Sequence, residues 1–142
     1  MGYTHYWEST GRIYNEHLKE AIRYMGIVVN DNTDILAGGD GTGKPEITDD
    51  EIRFNGIGDS SHETFSISTD WKGTFNFCKT AEKPYDVIVV ACLVVLKYHL
   101  GDSVSVSSDG DCEDLNAGIV LAMKYIKTNL TIQEIYDTYF DV

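Results

Sequence analysis

The chain has 142 residues, 42% of them apolar and 11% aromatic, enough for one domain over 1–142 with a real core and too apolar for a disordered tail. Its 23 acidic against 11 basic residues leave a net charge of −12, which repels phosphate backbones and anionic membranes and argues against direct nucleic-acid or membrane binding. The three cysteines, Cys78, Cys92 and Cys112, show no CxxC spacing, which fits reduced thiols in a cytoplasm better than a disulfide framework.

Tyr3 to Trp7 is rich in aromatic and β-branched residues and reads as an opening strand, not as a signal peptide. His5 and Trp7 share one of its faces. An amphipathic helix follows, with Leu18, Ala21, Ile22, Met25, Val28 and Val29 on its apolar side and Ser9 or Thr10 as its expected cap. Asn30 to Asp50, punctuated by glycines, reads as loop with a short strand at Ile35–Leu36. Glu51–Asn55 and Glu63–Ser68 alternate as antiparallel neighbours joined by the Gly56–Ser61 loop.

Pro84 to Leu100 holds the longest apolar run, about half a membrane span. Its β-branched residues favour a strand, but its unbroken length, with Pro84 at the first position, Asp86 in the first turn and Lys97 and His99 in the last, favours a helix buried nearly all round, and that is the reading taken. Ser103–Ser107 is a short strand carrying Val104 and Val106, and a helix opens near Asp111. Thr131 with Glu134 forms a capping box for a last short helix. The expected class is α+β, a small, largely antiparallel sheet with helices on one face.

No complete catalytic or metal signature is present. Gly38 to Lys44 has Walker A spacing, but Pro45 stands where a magnesium-binding hydroxyl belongs. The four histidines lack metal spacing, and Asp109, Asp111 and Glu113 lack the rest of a calcium loop. Lys79 and Lys83 precede the Pro84 helix, where amides and ammonium groups favour an anion. Ser107-Ser108-Asp109-Gly110-Asp111 lies between a strand end and a helix start, a frequent place for ligand groups and also an ordinary turn with a cap.

The stretches Gly2-Tyr3-Thr4-His5-Tyr6-Trp7, Phe54-Asn55-Gly56, His62-Glu63-Thr64-Phe65, Phe77-Cys78-Lys79-Thr80-Ala81 with Lys83-Pro84-Tyr85-Asp86, and Val106-Ser107-Ser108-Asp109-Gly110 occur together. The set resembles a family of small uncharacterised proteins of bacteria and tailed phages, and covers the chain from the first strand to about Gly118. The resemblance implies a cytoplasmic setting, that of the bacterial host if phage-encoded, and brings no activity. By analogy with small acidic phage proteins that disarm host defences, it suggests sequestration of a nucleotide immune signal.

The leading expectation is a non-enzymatic binder of an anionic, nucleotide-like molecule, with no cofactor. Lys79 and Lys83 would neutralise phosphate, Trp7 or Tyr85 would stack a base, and Asp86 or Asp109 would hold ribose hydroxyls. His5, Asn55 and Ser107 complete the set. One alternative is an acidic inhibitor of a host nucleic-acid-binding enzyme, with a host protein or a second copy as partner. Another is an enzyme using His62 or His5 with Asp109.

Overall fold

The computed structural model describes residues 3–141. Gly2, part of the family resemblance, lies outside the described residues. Among the described residues two sheets and four α-helices make an α+β fold, with the expected single sheet divided in two. One sheet has the order β5 (Asn76–Lys79), β1 (Thr4–Ser9), β6 (Val104–Ser108), β7 (Phe140–Asp141). The other runs β2 (Glu46–Ile47), β3 (Glu51–Phe54), β4 (Phe65–Ser68). The β3–β4 pair is antiparallel, with Phe54 opposite Phe65.

β1 is antiparallel to both β5 and β6, so those two strands run parallel on either side of it. Helix α2 (Asp86–Leu100) makes the crossover between them, giving a split β-α-β unit. It packs between α1 (Asn15–Asn30) and α3 (Cys112–Ala122) and also meets β6, which is why 88–96 is buried without a break while Val87 is half-buried. Its first residue is Asp86, with Tyr85 at the N-cap, so Pro84 lies just outside the helix.

β1 extends through Ser9, and α1 starts only at Asn15, behind Tyr14, with no side-chain cap. The expected cap is therefore wrong: Thr10 instead donates its hydroxyl to the Asp102 carbonyl at 2.6 Å. The strand expected at Ile35–Leu36 is a single 3-10 turn over Thr33–Ile35. Two capping boxes hold as local chemistry requires, Asp111 with Asp114 on α3 and Thr131 with Glu134 on α4 (Ile132–Tyr139). α3 stops at Ala122, short of Lys124 and Lys127.

Alternation along the strands sets the core. His5, Trp7, Cys78, Val104 and Val106 are buried on the helix side of the larger sheet. Trp7 packs on Phe65 at 5.2 Å between ring centres and Phe65 on Phe54 at 5.3 Å, joining the two sheets through one aromatic line.

Candidate functional site

The carboxyl ends of β5 and β6 and the amino end of β1 meet at one edge of the larger sheet, in the register Lys79–Thr4 and His5–Ser108. α2 and α3 both begin just beyond this edge. Because His5 and Ser108 are paired across the strands on the helix side, His5 faces both Ser108 and the first residue of α2. Its Nδ1 lies 2.8 Å from Ser108 Oγ, and its Nε2 lies 2.5 Å from Asp86 Oδ1. Thr80 donates its hydroxyl to the same Asp86 oxygen at 2.5 Å.

The result is a continuous chain, Ser108–His5–Asp86–Thr80. His5 and Thr80 are wholly buried and Asp86 nearly so, while Ser108 is half-buried. A carboxylate pairing with the Nε2 proton leaves the Nδ1 lone pair to accept the Ser108 hydroxyl proton. That is the logic of a hydroxyl nucleophile, a base and an orienting carboxylate, here with the two ring nitrogens in exchanged roles relative to the serine-protease arrangement.

Tyr3 stands edge-on to the His5 ring at 5.2 Å, and its hydroxyl lies beside Gly110, where any added side chain would collide with it. Burial, followed by the negative charges of Asp86, Asp114 and Glu82, raises the Tyr3 pKa, so the phenol stays a proton donor. Gly110 donates its amide to Ser108 Oγ at 3.0 Å. The link from β5 to α2 is strained here: Ala81 and Glu82 take positive φ angles of 52° and 57°. The amides of Thr80 and Ala81 both reach the Tyr3 carbonyl, and Lys83 closes the turn on the Thr80 carbonyl at 3.0 Å. Left-handed backbone in non-glycine residues collects at functional sites.

The residues expected from sequence divide between the faces of the sheet. His5 and Asp86 meet in the chain just described. Asp109 holds the sheet edge, accepting the Thr4 amide and the Tyr6 hydroxyl, each at 3.0 Å. Ser107 sits opposite Tyr6 and Lys79 opposite Thr4, both on the face away from the helices. Lys83 reaches the Asp59 carbonyl at 3.2 Å, and the Glu63 carboxylate accepts the Lys79 amide at 2.7 Å.

Trp7 and Tyr85 are 1% and 0% exposed, so neither ring has a face open for stacking a base. Burial raises the Tyr85 pKa, and its hydroxyl donates to the Glu63 carbonyl at 2.6 Å. Asn55 is a loop clamp: its amide oxygen accepts the Gly56 and His62 amides at 2.7 and 2.9 Å, and its nitrogen donates to the His62 carbonyl at 2.9 Å. His62 contributes to this clamp through its backbone.

Sequence reasoning named Asp86 and His5 but missed Ser108, Thr80 and Tyr3 as their partners. The signal for two of them was alternation. Ser108 continues the inward face of Val104 and Val106, and Thr80 continues that of Cys78. No four-residue pattern could supply the pairing, because Ser108 and Asp86 lie 103 and 81 positions from His5. Residues far apart in sequence are joined here by hydrogen bonds, Ser108, His5, Asp86 and Thr80 in one set, and Tyr85 to Glu63 and Asn55 to His62 beside it.

Among the described residues no cluster of histidine, cysteine and carboxylate side chains is arranged to hold a metal ion. Among the same residues no helix is long and apolar enough to cross a membrane. Comparison with family models, with curated proteins and with solved structures returns no match.

Proposed function

We propose that the protein is a hydrolase of the acyl-transfer type, with Ser108 as nucleophile, His5 as general base and Asp86 as the group that orients and charges the imidazole. The observation that carries this reading is the Ser108–His5–Asp86 chain, with hydrogen bonds of 2.8 and 2.5 Å, a wholly buried imidazole and a half-buried serine. In the reaction, the Ser108 proton passes to His5 Nδ1 as Oγ bonds to the substrate carbonyl carbon. The imidazolium, held by Asp86, then returns that proton to the departing alkoxide, and water releases the acyl group by the same path. Tyr3 supplies a phenol donor beside Ser108 for negative charge that develops on the carbonyl oxygen.

Glu82, Asp86 and Asp114 bear on the Tyr3 hydroxyl, and Asp109 and Asp111 stand within three residues of Ser108. Such a field suits a neutral or cationic ester better than a polyanion. The non-enzymatic, anionic-ligand reading keeps Lys79 and Lys83 as its cations. It has less support at this place, since Lys83 is engaged by the Asp59 carbonyl and Lys79 lies on the face of the sheet away from the Ser108 chain.

The test is an alkyl fluorophosphonate reagent followed by intact mass and peptide mapping. One adduct on Ser108 is expected, abolished in Ser108→Ala and slowed by Tyr3→Phe. Ser108 is half-buried at a strand end, so Ser108→Ala retains the fold. An unmodified Ser108, or ester hydrolysis equal in Ser108→Ala and the parent, would refute the assignment.

A further inference from the structure

The largest of the described cavities shares no lining residue with the Ser108 chain. It lies where α1 and α2 meet the turn after α3 and has a volume of about 510 Å³, within the range of small-molecule sites. Tyr24 comes from α1, Tyr98 and His99 from α2, and Lys124, Tyr125 and Lys127 from the turn. His99 is stacked on Tyr24 at 5.1 Å and meets Tyr98 edge-on at 5.1 Å, so the three rings form a fixed aromatic wall.

Two features of this cavity have no structural partner among the described residues. His99 Nε2 is buried with no hydrogen-bond partner, a costly state for a ring nitrogen unless a ligand or water completes it. Lys124 and Lys127 form no ion pair, and both side chains stand exposed at the cavity. The two carboxylates nearby are already engaged: Glu20 pairs with Arg23 at 2.8 Å, and Asp31 accepts the Tyr125 hydroxyl at 2.8 Å. In a chain of net charge −12, this places two lysines outside any ion pair at the rim of an aromatic-lined cavity.

We infer that this cavity is a second binding site, for a small aromatic anion whose ring lies against the tyrosine wall and whose acidic group meets Lys124 and Lys127. Aromatic faces supply sequence-independent stacking area, and two ammonium groups at one rim select a single anionic substituent. The site is independent of the Ser108 assignment, and its occupancy does not require turnover.

The probe is naphthalene-2-sulfonate, with neutral naphthalene-2-methanol as the control, titrated by isothermal calorimetry and by amide chemical shifts. The sulfonate is expected to bind, to shift the amides of Tyr98, His99 and 124–127, and to bind at least about tenfold more tightly than the neutral control. Lys124→Ala with Lys127→Ala should remove that preference, and Tyr98→Ala should weaken both probes, while Ser108→Ala leaves every value unchanged. Both lysines are exposed, so the double variant folds. No binding up to millimolar probe, equal affinity for the two probes, or shifts that map elsewhere would each overturn the inference.

Discussion

Gly118→Ala should part α3 from α2 and carry Ser108 away from His5. A methyl group at Gly118 would stand closer than 3.0 Å to both Cβ and Cγ1 of Val90, and 3.1 Å from the Val87 carbonyl oxygen. Carbon atoms in contact prefer ~3.5–4.0 Å, so the helices must separate by at least about 0.5 Å. Val90 has little freedom to turn aside, being β-branched and 1% exposed in the middle of α2. Overpacking of this kind costs ~1–3 kcal/mol, and a stiff neighbour plus a backbone oxygen places it at the upper end. Alanine recovers about 1 kcal/mol of helix propensity over glycine, leaving a net loss of about 2 kcal/mol.

The assay is urea unfolding of the parent, Gly118→Ala, Val90→Ala and the double variant. Val90→Ala alone removes two methyl groups from the core and should cost roughly 2 kcal/mol. Val90→Ala removes Cγ1 but keeps Cβ, so the double variant relieves part of the clash, and the two losses should fall short of their sum by roughly 0.5–1 kcal/mol. Because α3 begins four residues after Ser108, Gly118→Ala should also slow fluorophosphonate labelling. Strict additivity, or a Gly118→Ala variant as stable as its parent, would refute the packing argument.

Alkaline pH should destabilise the fold. Burial pushes the Cys78 thiol up from 9.0 to about 12 and raises those of Cys92, Tyr3 and Tyr85 as well. The unfolded chain therefore loses these protons first, so the stability they contribute is intact below about pH 9 and drains away as pH rises through the folded values, a decline that urea unfolding at neutral pH and at about pH 10 would register. By the same burial, a thiol reagent at about pH 8 should modify half-buried Cys112 in the native protein and reach Cys78 and Cys92 only after unfolding; rapid native labelling of all three would contradict this. Glu82→Gly relieves a left-handed residue at the turn before α2 and should raise stability by roughly 0.5–1 kcal/mol, the left-handed penalty less the extra freedom of the unfolded glycine. A lower melting temperature in that variant would show that Glu82 has a stabilising role outside its backbone.

The elements that the sequence determined by itself are those whose physics is local. The buried α2, the Asp111 cap of α3, the capping box of α4, and the alternation of β3 and β4 follow from helix and strand periods and from side chains that cap their own neighbours. The elements that were illegible are short or rely on distant partners. β7 has only two residues and exists because it pairs with β6, and β5 was hidden inside a stretch read as the approach to a helix.

The site shows the same division. Its polar residues stood out in the sequence, but as cations before a helix start, and the role given to Asp86 was that of a ribose ligand. Only the tertiary structure decided that Asp86 turns inward to His5, because β1 enters between β5 and β6 and brings residues from opposite ends of the chain into one register. A hydrogen-bond chain through a buried imidazole depends on ångström distances between elements that no local period encodes. Alternation could mark Ser108 and Thr80 as inward-facing, while the packing of α2 under the sheet alone settled what they face.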